Sequence, residues 1–293
     1  MVDSRQIPVA VCDCHVHVVA PVERFPQTAE RTYTAAPATL EALRAASEPH
    51  GVTHFVIVQP SFYGQDNAYL LEALAVLGKR GRGVAVLDPE AISQSLLAEC
   101  GSRGVCGLRL NLYSPRSGQA AIDLDQALEN LMRQLPFSGW HVEVIAPLPV
   151  LVAAATRLAN SSVPIVIDHY GLPGRTAPDS PDGRRLLDLV RLPHVWVKLS
   201  GPYRIVADPL ATVPPREWLE AMLRVAPDRC VWGSDWPHTP PHGDHRGPRQ
   251  IVPYRKIDYS RLLGDFVNAL PDPSLAGRLL WENPARLYGF RRD

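Results

Sequence analysis

Short apolar, β-branched runs recur along the chain at Val9–His17, Thr53–Gln59, Gly83–Leu87, Val105–Leu112, His141–Ala146, Pro164–His169, His194–Ser200 and Arg229–Gly233. They are near-continuous apolar segments rather than clean alternations of apolar and polar residues. That is the pattern of parallel strands covered on both faces. After a longer first gap the runs start about 22 to 36 residues apart, room for one strand and one crossover helix. Helical stretches fill the intervals. Asn67–Gly78 carries Leu70, Leu71, Leu74 and Leu77 at three-to-four spacing, with Asp66 placed to cap it. Ala38–Pro49, Ile92–Cys100, Asp123–Leu135, Pro149–Leu158, Asp182–Val190 and Pro215–Val225 follow the same logic, with Pro215 suited to a first helical position. A C-terminal pair is expected near Ser260–Leu270 and Ser274–Trp281.

Eight such units in 293 residues predict a (β/α)8 barrel, read as a single domain over residues 1–293. An open doubly wound sheet is the alternative, but no strand here runs into a glycine-rich phosphate loop. Thr239–Arg255, rich in proline and histidine, reads as a long loop after the eighth strand.

Composition narrows the function classes. Apolar residues make up 46% of the chain, enough for one large core. Thirty basic residues balance thirty acidic ones, so no net field draws the chain to nucleic acid or to an anionic membrane. No apolar run reaches the length of a membrane span, and Asp13, His15 and His17 break the Val9–Ala20 stretch, which does not read as a signal peptide. Five cysteines, an odd number, read as reduced thiols of a cytoplasmic protein, with Cys12 and Cys14 packing within a strand. The 29 prolines form no low-complexity tract and signal ordered loops. Nothing in the sequence fixes an oligomeric state.

In a (β/α)8 barrel the chemistry sits at the C-terminal ends of the strands. The first strand ends in Cys14-His15-Val16-His17, the fourth carries Arg109 and Asn111, and the sixth ends in Asp168-His169. The seventh carries Lys198 and Ser200, and the eighth ends in Ser234-Asp235-Trp236-Pro237-His238. Residues i and i+2 of a strand share a face, which aims His15 and His17 together into the barrel mouth. With His169 and Asp235 they form either the ligand set of a mononuclear zinc site or a catalytic cluster that works without metal. His238 stands where it can orient Asp235 or a substrate, or cap local backbone. Trp140, Trp196 and Trp232 read as core.

The segments Asp13-Cys14-His15-Val16-His17, Ile167-Asp168-His169, Trp232-Gly233-Ser234-Asp235-Trp236-Pro237-His238 and Glu282-Asn283-Pro284-Ala285-Arg286-Leu287-Tyr288 resemble the amidohydrolase superfamily. The resemblance is strongest to the branch typified by 2-pyrone-4,6-dicarboxylate lactonase. It extends over Arg24-Phe25-Pro26, Arg31-Thr32-Tyr33-Thr34, Val58-Gln59-Pro60-Ser61, Gly64-Gln65-Asp66-Asn67, Gly107-Leu108-Arg109-Leu110-Asn111 and Gly139-Trp140-His141-Val142, and so covers essentially the whole chain. It implies a (β/α)8 barrel and lactone hydrolysis or a closely related lactone reaction. It implies that His15, His17 and His169 surround the lactone carbonyl and that Asp235 is the general base on water. It matches Tyr33, Ser61, Arg109 and Arg204 to positions that hold substrate carboxylates, with Arg116 a looser match.

Two departures bear on substrate. Ile145 stands where the resembling lactonase has a tyrosine, and His169-Tyr170-Gly171-Leu172 lacks the arginine of its His-x-Gly-Arg pattern. Losing such partners costs a buried anion about 1.5–3 kcal/mol per charge-assisted bond. The expected substrate is therefore a small lactone with one acidic group or a hydroxylated sugar lactone, rather than the dicarboxylate. Binuclear superfamily members bridge two metals with a carboxylated lysine at the fourth strand. Arg109 occupies that region here and cannot serve. The expectation is no required cofactor, with a single zinc held by His15, His17, His169 and Asp235 as the alternative. A lactone isomerase, a zinc-dependent decarboxylase of the same superfamily and a non-catalytic ligand-binding barrel are the competing readings.

Overall fold

A computed structural model describes residues 10–29, 31–88, 92–113, 124–135, 139–240 and 249–291. Eight parallel strands form one sheet in sequence order: β1 (Val11–Val16), β2 (Val52–Val58), β3 (Gly81–Ala85), β4 (Val105–Asn111), β5 (His141–Ile145), β6 (Ile165–Ile167), β7 (Val195–Ser200) and β8 (Cys230–Gly233). All eight fall on the predicted runs. The sheet closes just beyond β8, where Asp235 N donates to His15 O at 2.8 Å and His17 N donates to Trp236 O at 2.8 Å. The result is the expected (β/α)8 barrel. No helix among the described residues is long and apolar enough to cross a membrane.

Register explains which residues point inward. Side chains of paired residues on neighbouring parallel strands share a face, so Arg109, Glu143, Val166 and Trp196 line the interior as one ring. In β1 the regular alternation fails. Asp13 pairs with Phe55 and Val16 with Ile57, so three steps on β1 match two on β2. This bulge lets Cys14 and His15 both face inward and brings His17 in after them. Asp13 is turned outward, where it accepts from Ser234 N at 2.8 Å and Tyr259 Oη at 2.7 Å. Gly233 of β8 has no side chain because a Cβ would stand 2.7 Å from His15 Cβ across the closing seam.

The crossover helices bury their leucine faces against the outside of the sheet. Thr39, Ser93, Ser180 and Asp258 cap helices by accepting from backbone N–H groups. Asp66 accepts from Ala68 N, as expected, while Pro215 sits one position ahead of Arg216–Val225. The expected Pro149–Leu158 helix is broken at Ala154 into Leu148–Ala153 and Ala155–Ala159. The C-terminal segment runs further than its periodicity suggests, through a π-turn at Arg278–Glu282 to Asn283–Tyr288. It places Trp281, Tyr288 and Phe290 against Trp196 and the inward cysteines Cys12 and Cys14. His54 packs on Trp281 and Phe290 with ring centroids 4.7 and 4.9 Å away. The N-terminal end of the barrel is thus stoppered by aromatic rings. Trp140, Trp196 and Trp232 are buried, and all five thiols are free. Within Thr239–Arg255, Ile251–Val252 pairs in parallel with Thr34–Ala35, and residues 241–248 lie outside the described set.

Candidate active site

At the C-terminal mouth, Asp235 is surrounded by imidazoles. Its Oδ1 lies 3.8 Å from His15 Nε2, 3.7 Å from His17 Nε2 and 4.0 Å from His169 Nε2, and has no hydrogen-bond partner among the described residues. Its other oxygen, Oδ2, is fully engaged. Tyr203 Oη donates to it at 2.6 Å and Arg204 Nε at 2.5 Å. Both donors come from the short 3-10 turn Pro202–Arg204 that follows β7. Gly201 makes the turn possible, because its φ is +57° and a Cβ there would lie 3.1 Å from Asp235 Oδ2.

Burial by itself would raise the Asp235 carboxyl. Burial is the largest single influence, but the Arg204 guanidinium and the surrounding imidazoles together outweigh it and hold the carboxyl well below the usual range. Burial pushes His15 and His17 down and lowers His169 and His238 to about 4. At neutral pH the cluster is therefore an ionised carboxylate among neutral imidazoles. His169, Asp235 and His238 all sit at positive φ, 49°, 61° and 67°. Left-handed backbone costs a residue with a Cβ about 1–3 kcal/mol, and such residues gather where geometry serves chemistry.

The proton position of His17 follows from its partner. His17 Nδ1 lies 2.7 Å from the Val58 carbonyl oxygen, which only accepts, so Nδ1 carries the hydrogen and Nε2 presents a lone pair. His169 Nδ1 is held at 2.8 Å by Ser200 Oγ. His15 Nδ1 lies 3.2 Å from Lys198 Nζ. His238 Nδ1 lies 3.2 Å from Tyr203 Oη, which brings His238 behind the carboxylate.

Beneath the histidines lies a buried charge quartet that sequence reasoning did not assemble. Lys198 Nζ donates to Glu143 Oε2 and lies 3.7 Å from Asp168 Oδ1. Arg109 approaches Asp168 Oδ2 at 3.4 Å and donates to Gln59 O at 3.0 Å. Burial, then the Asp168 charge, raises Glu143 to about 7. The available signal was parity: a lone Glu in His141–Ile145 and a lone Lys in Val195–Ser200 each interrupt an apolar strand on its inward face.

Arg109 and Arg204 both line the small cavity above the cluster, with Tyr33, Ser61, Ile145 and Thr239. Arg204 also donates to Thr239 Oγ1 at 2.7 Å. Tyr33 is buried, which pushes its hydroxyl up to about 12. The structure thus gathers His15, His17, His169, Asp235, His238, Arg109, Arg204, Tyr33 and Ser61 at one end of the barrel. Arg116 lies outside the described residues. Tyr203 and Thr239 join the site from loops without a sequence signal of their own.

Among the described residues, two sets of side chains have the spacing to hold a metal ion, His15 with His17 and Asp235, and His15 with Asp168 and His169. The unpartnered Asp235 Oδ1 and the bare His17 Nε2 suit a zinc ligand set. His15 fits it less well, because its Nδ1 lies 3.2 Å from the Lys198 ammonium, with Asp168 Oδ1 3.3 Å from the same nitrogen.

Comparison with known proteins places the arrangement. Residues 12–290 match the amidohydrolase family model Amidohydro_2. The chain is 31% identical to a 4-sulfomuconolactone hydrolase of Hydrogenophaga intermedia, covering 97% of this chain and 90% of that one. It is 31% identical to a 2-pyrone-4,6-dicarboxylate hydrolase of Comamonas testosteroni, covering 97% and 91%. A solved Pseudomonas putida structure, proposed to be a 2-pyrone-4,6-dicarboxylic acid hydrolase, superposes with a TM-score of 0.78 at 30% identity, covering 98% of this chain and 100% of that one.

Proposed function

The chain belongs to the amidohydrolase family, and we propose that it is a lactone hydrolase that uses Asp235 as the base on water. The observation that carries this reading is the unpartnered Asp235 Oδ1 facing three imidazole Nε2 atoms at 3.7–4.0 Å in the barrel mouth.

Hydrolysis needs a polarised carbonyl, a deprotonated water and a protonated leaving oxygen. Asp235 Oδ1 and His17 Nε2 are both acceptors and lie 3.7 Å apart. One water donating to each is held with a lone pair turned toward the substrate. His15 and His169 flank the position of the lactone carbonyl oxygen. As the water oxygen bonds to the carbonyl carbon, its proton passes to Asp235. The ring C–O bond then breaks, and the same proton moves to the departing ring oxygen. The product is an open-chain hydroxy acid or its enol. His238, through Tyr203, steadies the carboxylate from behind.

Arg109, Arg204, Tyr33 and Ser61 are the proposed contacts to an acidic group of the substrate, with Arg116 a candidate from the sequence. Ile145 gives the same cavity an apolar wall. Two arginines and an apolar wall favour a lactone with one anionic group, carboxylate or sulfonate. The hydrolase names of the relatives at 31% identity favour water over a substrate hydroxyl as the nucleophile. We propose that no metal is required. If zinc is bound, its ligands are His17, Asp235 and the remaining imidazoles, and it would supply carbonyl polarisation.

The test is turnover over a panel of 2-pyrone-4,6-dicarboxylate, a muconolactone, a sulfomuconolactone and several aldonolactones, with and without chelator. Ring opening of one member, lost in Asp235→Asn, supports the reading. Silence across the panel in protein carrying stoichiometric zinc would move it to the decarboxylase alternative.

A further inference from the structure

We propose that Lys198 is a positioning residue that fixes the tautomer of His15, keeping its proton on Nε2 and aimed into the reaction centre. The proposal deepens the lactonase reading and rests on it for its catalytic consequence only.

Lys198 is fully buried at the inner face of β7. Its Nζ donates to Glu143 Oε2, lies 3.7 Å from Asp168 Oδ1 and stands 3.2 Å from His15 Nδ1. An ammonium has donors and no acceptor. The hydrogen bond between Lys198 and His15 therefore requires Nδ1 to be the acceptor, and in a neutral imidazole the proton must then sit on Nε2. Asp168 Oδ1 lies 3.3 Å from the same nitrogen and would favour the opposite tautomer, but it has no hydrogen-bond partner among the described residues. The geometry thus gives Nδ1 to Lys198. His15 Nε2, also without a partner, is left as an N–H directed toward Asp235 Oδ1 3.8 Å away.

His15 and His17 thereby differ in kind although they share a motif. Backbone carbonyl O of Val58 makes His17 a lone-pair donor at the centre. Lys198 makes His15 a hydrogen-bond donor there. An acceptor for the water and a donor for the carbonyl oxygen is the pairing that hydrolysis without a metal requires. The same tautomer closes His15 Nε2 to a metal ion, because a metal ligand must offer that lone pair. In place of a metal the interior holds a fixed cation one residue deeper, balanced by Glu143 and Asp168.

The direct test is the ring 15N–1H spectrum of the native protein free of substrate, with His15 assigned by difference against His15→Gln. A proton on Nε2 is expected, and a proton on Nδ1 would overturn the proposal. Lys198→Met strands Glu143 without its partner, so the companion variant is Lys198→Met with Glu143→Gln, which keeps the interior charge balanced. In it the His15 proton is expected on Nδ1, facing Asp168, with kcat lowered about 100-fold, the scale of losing one donor to a developing oxyanion. Its Zn2+ affinity, measured by titration, is expected to rise at least about tenfold, as for an outer partner that tunes a ligand. An unchanged tautomer and unchanged zinc affinity in that variant would also overturn it. If the native tautomer is as stated and no lactone is opened, the functional reading fails while the role of Lys198 stands. The native spectrum tests the tautomer even where a variant fails to fold.

Discussion

Arg204 Nε lies 2.5 Å from Asp235 Oδ2, and Tyr203 Oη holds the same oxygen at 2.6 Å, which leaves Oδ1 to face the histidines. Two consecutive residues of one turn thus decide which carboxylate oxygen meets the water. The sequence favours substrate binding for Arg204, with pairing to a carboxylate of the barrel rim as the alternative. Its contact with Asp235 adds a second role, in orientation of the base, and the consequences separate in kinetics. Arg204→Gln is expected to lower kcat by about 10- to 150-fold, the worth of a hydrogen bond to a charged group. It also removes the charge that holds the Asp235 carboxyl low. The acid limb of the rate profile is therefore expected to move to higher pH. A rise in KM at unchanged kcat and unchanged pH profile would return Arg204 to substrate binding only.

Asp235→Asn tests the base itself. The amide keeps the shape and can still accept from Tyr203 and Arg204. It cannot take a proton from water. A loss of about 10²–10⁴ in kcat is expected, with product or substrate-analogue affinity changed by less than about tenfold. Retention of full turnover would remove Asp235 from the reaction.

Much of this was legible in the chain because parallel strands buried on both faces leave a strong apolar signature. All eight strand positions, and the polar residues that end β1, β6 and β8, follow from it. Three kinds of feature did not follow. The bulge at Cys14–His15 depends on register with β2, which no local pattern encodes, and it decides that His15 rather than Asp13 enters the interior. Glu143 and Lys198 were each visible as oddities within a strand, but their pairing spans 55 residues of sequence. Tyr203 reaches the carboxylate from a turn whose form depends on Gly201. The helical continuation beyond Trp281 carries no periodic signal, because the π-turn at Arg278–Glu282 disrupts it.

His141 offers a test of buried histidine away from the proposed reaction centre. Both its ring nitrogens lack hydrogen-bond partners among the described residues, and burial, then the Lys198 charge, lowers it to about 3 from an ordinary value of 6.5. Its folded value lies below its unfolded one, so between these limits the unfolded chain binds the extra proton. Stability from this group is present above pH 6.5 and is lost as pH falls, by up to about 1.4 kcal/mol per unit until pH approaches 3. His141→Leu removes that term. In urea unfolding, the variant's stability relative to the native chain is expected to be constant above about pH 7.5 and to improve progressively from pH 6.5 to 4.5. Parallel curves at all pH would show that His141 titrates normally in the fold.

Metal removal is expected to leave the rate unchanged and metal addition to lower it, unlike in a zinc hydrolase. The neutral imidazoles and the ionised Asp235 are in ligating protonation states, so affinity for zinc is decided by which nitrogen lone pairs point inward. His17 offers one, and Asp235 Oδ1 is unengaged, while His15 Nδ1 faces Lys198. Two good ligands bind zinc weakly, and one of them is the base that the reaction needs. Prolonged dialysis against dipicolinate is expected to leave kcat/KM within about twofold of its starting value, because no metal-bound water has to be regenerated. Excess Zn2+ is expected to inhibit, competitively with substrate, by occupying Asp235 Oδ1. The checks are the initial rate across a zinc titration and the metal content of the active protein. Loss of activity on dialysis with recovery at one equivalent of zinc would instead make the metal part of the mechanism, and would require His15 to turn its lone pair toward the centre.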